Sequence, residues 1–191
     1  MAVKSSRWKE ARRALAASGM SGGQLLGLLW PFGRDKRALA LLRDRRAVLE
    51  AKNLAVDYMF RSQQPLAALR LTNSEQLQKA LQDPDKRRLI VSLGINRAMI
   101  EDVLLSRHGA EVGRSLERAL DELVVAGVVL KAATMPTSNQ EIYVAVHTAS
   151  RPKFDVSILN RLLQESRDFS AELRARFNRN EKKDISRTHR L

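Results

Sequence analysis

Residues 115–132 read SLERALDELVVAGVVLKA and change their structural type at Gly127. Before this glycine, Leu116, Leu120 and Leu123 recur at the three- and four-residue spacing of an amphipathic helix. A pair of valines follows it directly, and branched side chains of this kind favour a strand. Glycine readily adopts the positive φ angles that end many helices. The stretch therefore predicts a helix that passes straight into a strand.

Three short helices are predicted in this part of the chain, separated by glycines or polar caps. Their expected ranges are about 84–93, 97–107 and 115–126. The capping residues are Asp83 and Asn96 at helix starts, and Gly94 and Gly109 at helix ends. A further helix is predicted to begin at Asn73, because Asn73 and Gln76 have the spacing of a capping box.

A two-stranded hairpin is predicted after the third helix. VVLKAATM at 128–135 favours a strand, and PTSNQ at 136–140 is typical of a turn. In EIYVAV at 141–146, branched apolar residues occupy every second position, which predicts the second strand.

Three compact helices followed by a hairpin is the order of a winged helix. Over roughly residues 74–148 the sequence resembles the winged helix–turn–helix superfamily, through LERALDELVVAGVVLKA and the hairpin after it. The resemblance implies a mainly α fold in which Val112 plugs the core. It also implies a buried face on the third helix, formed by Leu116, Ala119, Leu120 and Leu123. In this superfamily the third helix generally enters the major groove of DNA.

Two longer helices are predicted outside this region. Residues 34–61 carry paired apolar residues along one stripe, opposite a charged face that is either solvated or able to track phosphates. The apolar stripe in FDVSILNRLLQESRDFSAELRARFNRN predicts a C-terminal amphipathic helix that packs on the domain or pairs two copies of the chain. The expected organisation is a basic arm with an apolar plug (1–33), a long amphipathic helix and linker (34–72), a winged-helix domain (73–150), a C-terminal helix (151–178) and a basic tail that is disordered when free (179–191).

The net charge of +13 lies mainly on the flanks of the chain. Residues 1–50, 51–100 and 151–191 carry +7, +4 and +5, whereas residues 101–150 carry −3. A surplus of this size favours a polyanionic partner, meaning nucleic acid or an anionic membrane. Because counterion release at phosphates supplies most of the affinity for duplex DNA, basic arms can provide affinity while a few base contacts provide specificity.

The candidate DNA-binding residues fall into three groups. The third helix offers Arg114, Ser115 and Arg118 to base edges, where an arginine can bond guanine twice. The hairpin offers Lys131, Thr137, Ser138, Asn139 and Gln140 to phosphates. The N-terminal arm offers Arg7, Arg12 and Arg13. The third helix also carries Glu117, Asp121 and Glu122, which phosphates repel unless the helical arginines neutralise them, so a protein-docking role for this helix is the alternative.

Candidate partner-binding residues lie in two apolar segments. QLLGLLWPFG at 24–33 supplies Leu28, Trp30 and Phe32, as a plug packed on the domain or as a segment that docks on a partner or a membrane surface. The C-terminal helix supplies Leu162, Phe169 and Leu173. A homodimer through this helix or the long N-terminal helix is one expectation, and a separate protein partner is another.

Enzymatic chemistry is not expected from this sequence. There is no cysteine, which excludes disulfides and thiolate zinc sites, and the three histidines are too far apart in sequence for metal-ligand spacing. Phosphate-binding loops, dinucleotide fingerprints and nucleophile elbows are absent from the sequence, so neither a cofactor nor a catalytic residue is predicted. A site assembled from distant carboxylates is the residual alternative.

The sequence therefore predicts a cytoplasmic DNA-binding winged-helix protein, nucleoid-associated, that acts as a transcription regulator or accessory factor. Residues 1–191 hold no run of about 18 apolar residues, so no transmembrane segment is predicted, although the basic N-terminus also has the composition of an organellar transit peptide. A winged-helix protein–protein adaptor, or a structural subunit of a larger nucleoprotein assembly, is the alternative. The charge does not distinguish DNA from RNA.

Overall fold

The protein is mainly helical and contains a small two-stranded antiparallel sheet. The computed structural model describes residues 34–135, 138–148, 151–164, 167, 168 and 171. Its helices are α1 (Arg34–Ser62), α2 (Ser74–Gln82), α3 (Pro84–Leu93), α4 (Arg97–His108), α5 (Ala110–Arg114) and α6 (Leu116–Val125), with a 3₁₀ helix at Gln64–Leu69 between α1 and α2. Its strands are β1 (Val129–Met135) and β2 (Ser138–Ala145), and residues 157–164 are also helical. None of these described helices is long and apolar enough to traverse a bilayer.

The predicted caps at the start of α2, α3 and α4 are confirmed. Asn73 accepts a hydrogen bond from the backbone N–H of Gln76 at 2.9 Å, and Asn96 accepts one from the N–H of Met99 at the same distance. Asp83 accepts from the N–H groups of the first turn of α3. These bonds satisfy helix donors that have no partner within the helix, so the three starts are fixed by local sequence.

The third helix, predicted at about 115–126, is confirmed as α6 at Leu116–Val125. A separate turn of helix, α5, precedes it, and α6 begins only at Leu116. The N–H of Ser115 donates to the carbonyl of Val112 at 3.1 Å, a three-residue turn that breaks the α-helical pattern. At the other end, Gly127 has φ +67°, which confirms the predicted exit into β1.

The hairpin is longer on its second strand than predicted. Met135 pairs with Ser138, so β2 begins inside the segment that was expected to be a turn. Further along, Leu130 pairs with Val144 and Val129 with Ala145. An antiparallel bridge between Ile95 and Tyr143 adds a third segment of chain beside β2.

Residues 142–146, at the end of the hairpin's second strand, are buried on both faces, and each face contacts a different hydrophobic cluster. Ile142, Val144 and Val146 belong to a cluster with the 3₁₀ helix, α2 and α3. Tyr143 and Ala145 belong to a second cluster with α1, α4, α5 and α6. Because strand residues alternate between faces, the predicted alternation separates two cores and does not separate core from solvent.

The side chain of Gln63 connects three elements in the middle of the fold. It is fully buried, and its Nε2 donates to the carbonyls of Leu93 at 3.1 Å and Tyr143 at 2.8 Å. Its Oε1 accepts from the N–H of Ala145 at 2.7 Å. The end of α1 is thereby joined to the end of α3 and to β2, with the amide's oxygen and nitrogen both hydrogen-bonded.

The chain divides into two compact units. One is Arg46–Asp155, which contains both clusters, and the other combines Met1–Arg45 with Val156–Leu191. The helix α1 was predicted over 34–61 and is confirmed. Among its predicted buried residues, Val48, Ala55, Val56 and Met59 lie in the core of Arg46–Asp155.

We expect Gln63→Ala to lower the free energy of unfolding by about 2–4 kcal/mol, because the N–H of Ala145 and the carbonyl of Leu93 lose a buried partner. Urea unfolding followed by circular dichroism measures this change. The matched control is Gln64→Ala, at an exposed neighbouring position. Equal stability of the two variants would mean that the amide does not hold the three elements together.

Candidate nucleic-acid interface

The buried and exposed faces of α6 lie where the sequence predicts them. Leu116, Ala119, Leu120 and Leu123 are each at most 1% exposed, and Val112 on α5 is buried beside them. On the outer face, Val125 is 89% exposed. A partner can therefore contact α6 only through the face opposite these leucines and through the exposed C-terminal end of the helix.

Of the three residues predicted to read bases, Arg114 and Arg118 are accessible and Ser115 is not. Ser115 is 9% exposed and its Oγ donates to the carbonyl of Glu111 at 3.0 Å. The hydroxyl is thus directed to its own helix, because Ser115 occupies the break between α5 and α6. Arg114 is exposed, and its Nε donates to the carbonyl of Ala110 at 3.2 Å.

Two of the three carboxylates on α6 are held by cations from other helices. Arg97 on α4 contacts Glu117, with 3.0 Å between Nη1 and Oε2. Lys52 on α1 forms an ion pair with Glu122, and Arg118 lies 3.4 Å from the second oxygen of the same carboxylate. The helical spacing predicts neutralisation within the helix, which holds for Arg118, whereas the partner of Glu117 comes from α4.

The charged face of α1, predicted to be either solvated or able to track phosphates, is buried at Lys52. The residue is 6% exposed, and its Nζ lies 5.0 Å from the centre of the Phe154 ring. Asn53 holds the backbone of Phe154 at both polar groups, accepting from its N–H at 2.8 Å and donating to its carbonyl at 2.7 Å. Lys52 is buried because Glu122 and an aromatic ring cover it, so this part of the face contributes to packing.

The one cation predicted to contact DNA from the hairpin, Lys131, is paired with a carboxylate of the hairpin itself. Lys131 lies on β1 and pairs with Glu141 on β2 at 2.7 Å, and this bond raises the pKa of Lys131 above its ordinary value. Ser138, Asn139 and Gln140 lie in the first part of β2. Thr137 lies outside the described residues.

Net charge differs between Arg46–Asp155, called the compact unit from here on, and the residues before and after it, called its flanks. The charged residues of α6 and the two cations paired with them comprise three cations and three carboxylates: Arg97, Arg118 and Lys52 with Glu117, Asp121 and Glu122. Across Arg46–Asp155 there are 15 basic and 13 acidic residues, a net +2. The rest of the chain has 19 basic and 8 acidic residues, a net +11. Most of the attraction for a polyanion therefore resides outside the compact unit.

The remaining predicted site residues lie elsewhere in the chain. Leu162, expected to bind a partner, is 8% exposed within the helical residues 157–164. The other candidates fall outside the described residues: Arg7, Arg12, Arg13, Leu28, Trp30, Phe32, Phe169 and Leu173. In the part of the chain that the structure describes, no cluster of three or more histidine or acidic residues could hold a metal ion.

Sequence reasoning did not identify Lys52 and Arg97 as partners of the third helix. Lys52 is 70 positions from Glu122 along the chain and belongs to a run that has the pattern of a charged helix surface. No local signal distinguishes it from its solvated neighbours, because the partner reaches it only through tertiary packing.

We expect Glu122→Gln to lower the free energy of unfolding by about 1–3 kcal/mol, because Lys52 would stay buried without its counterion. The adjacent Asp121→Asn is the matched control. Its carboxylate is exposed, so the change should stay within about 0.5 kcal/mol. Chemical denaturation at neutral pH compares the two variants. Indistinguishable midpoints would show that the ion pair does not stabilise the packing of α1 against α6.

Comparison with family models, with curated proteins and with solved structures gives no match for this chain. A fold by itself does not define an activity, because function depends on the chemistry of particular sites. Three features of this chain bear on its function: the paired carboxylates of α6, the accessible side chains of Arg114 and Arg118, and the difference in net charge between Arg46–Asp155 and the rest of the chain.

Proposed function

We propose that the protein is a winged-helix DNA-binding protein whose basic flanks provide affinity and whose third helix provides base contacts. The observation that carries the proposal is the charge partition, with net +2 on Arg46–Asp155 and net +11 on the remaining residues. Basic side chains on these flanks release condensed counterions when they contact DNA phosphates, whatever the base sequence. A nearly neutral unit then needs only to place a few side chains against base edges.

The order of elements supports a winged helix as the form of this unit. The helices α3, α4 and α5–α6 are followed by an antiparallel hairpin, and Gly127 makes the sharp exit from α6 into β1. In such a unit the start of the third helix enters the major groove. Arg114 is the last residue of α5, two positions before α6 begins, and it is exposed.

The ion pairs of α6 reduce the electrostatic repulsion between its carboxylates and DNA phosphates. Glu117 and Glu122 would repel phosphates if they were unpaired, but Arg97 and Lys52 supply compensating charge. Of the three carboxylates on α6, only Asp121 has no cation from a described residue within ion-pairing distance. The helix can therefore approach DNA at a smaller electrostatic cost than its sequence alone indicates.

Salt dependence of binding to a mixed-sequence duplex tests the role of the flanks. We expect the triple variant Arg7→Gln, Arg12→Gln, Arg13→Gln of the full chain to bind more weakly, with a log–log salt slope smaller by up to about 3. The matched control replaces three exposed cations of the compact unit, Lys79, Arg87 and Arg88, by glutamine. Fluorescence anisotropy at several salt concentrations measures both slopes. A larger effect of the control triple would contradict the proposed division of labour.

Sequence preference tests the role of the third helix. Once a preferred site has been selected from random duplexes, Arg114→Gln should cost about 1–3 kcal/mol on that site and relax preference at one base pair. Binding to unrelated duplex should change little. Arg107→Gln, at the end of α4, is a matched control that removes one exposed charge elsewhere. An unchanged preference in the Arg114 variant would remove this residue from the base-reading set.

A protein–protein adaptor is the second candidate, and the exposure of Val125 favours it. An apolar side chain that is 89% exposed at the end of α6, next to a charge-balanced face, is suited to a protein surface. The absence of duplex binding by the full chain at low salt would favour the adaptor. In that case Val125→Asp should weaken a purified partner complex without lowering the free energy of unfolding.

A further inference from the structure

A groove in the compact unit lies between the C-terminal part of α1 and helix α4. Its volume is about 420 Å³, within the range of sites that hold small molecules. The floor is apolar and is formed by Leu54, Ile100, Val103 and Leu104. Ile100 and Leu104 are at most 1% exposed, so this part of the floor belongs to the hydrophobic core.

The rim of the groove carries an excess of positive charge. Its charged lining residues are Asp57 and Arg61 on α1 and Arg107 on α4, and His108 lines it at the end of α4. Asp57 is already neutralised, because Arg61 contacts it at 3.3 Å and Arg151, from outside the lining, contacts it at 2.7 Å. The side chain of Arg107 makes no hydrogen bond or ion pair with any other described residue. One guanidinium at the rim is therefore available to an anion.

We propose that this groove binds a small organic anion with an apolar tail, of the carboxylate class. The tail would cover Val103 and Leu54, and the carboxylate would pair with Arg107, whose planar donors match two carboxylate oxygens. Tyr58 also lines the groove and adds a phenol that can donate to the same head group. The site is distinct from the outer face of α6 and does not depend on DNA binding.

A ligand in the groove would affect the packing of the third helix. Ile100 and Leu104 belong to the same hydrophobic cluster as Val112, Leu116 and Leu120. Interiors are close-packed, so a ligand held against one side of α4 constrains the residues that pack on its other side. A bound carboxylate is thereby a candidate effector of the surface that α6 presents.

Three probes of related shape test the chemistry with the full-length protein: octanoate, octanol and acetate. Octanoate has both the tail and the charge, octanol has the tail alone, and acetate has the charge alone. In two-dimensional NMR titrations, octanoate should shift the amide signals of Tyr58, Val103 and Arg107 but not that of Lys79. The other two should bind at least about tenfold more weakly. Octanol binding as tightly as octanoate, or octanoate shifts located away from the groove, would overturn the proposal.

Two pairs of variants locate the head and the tail. Arg107→Gln should weaken octanoate about tenfold and leave octanol unchanged, whereas Arg87→Gln, at an exposed position on α3, should change neither. Val103→Phe should fill part of the groove and weaken both long-chain probes. Val91→Phe, at a half-exposed apolar position on α3, is its control. Circular dichroism of each variant confirms that it is folded, and an Arg107 variant that is folded but binds octanoate normally would disprove the assignment.

Discussion

The compact unit depends on a single buried amide. Gln63 sits where α1 ends, and its side chain bonds the last carbonyl of α3 and two backbone groups of β2. A carbonyl at a helix end and an N–H at a strand end both need partners when they are buried. The Gln63 side chain supplies these hydrogen-bond partners. The end of α3, strand β2 and the start of the 3₁₀ helix can therefore meet without a bridging water. The two hydrophobic clusters then form on either side of this junction.

Charge in this protein is arranged so that the acidic residues of the third helix serve the fold. Glu122 is required by buried Lys52, and Glu117 joins α6 to α4 through Arg97. An acidic helix therefore does not by itself mean a surface that avoids polyanions. The cations that balance it come from α1 and α4, and the surplus positive charge of the chain is carried beyond Arg46–Asp155.

Local features of the fold could be predicted from the sequence, and long-range ones could not. The caps at Asn73, Asp83 and Asn96 were predicted because each side chain bonds a backbone group only two or three residues away. Gln63 gave no such signal, since its partners are 30 to 82 positions distant and a glutamine after a helix resembles any surface residue. For the candidate interface, helical periodicity correctly oriented the buried leucines of α6. The burial of Ser115 escaped prediction because it follows from a break in the helix that periodicity does not reveal.

The burial of β2 on both of its faces has a consequence for how Arg46–Asp155 unfolds. Each cluster uses the hairpin as one of its walls, with alternate residues of β2 facing opposite sides. If either cluster unfolded, apolar side chains on one face of β2 would become exposed and the strand would lose part of its packing. The other cluster packs on the same strand, so the two clusters should unfold together. Such mutual dependence is the basis of cooperative, all-or-none unfolding. Amide protons of residues 142–145, at the buried end of β2, should accordingly exchange with solvent only through the global opening of Arg46–Asp155.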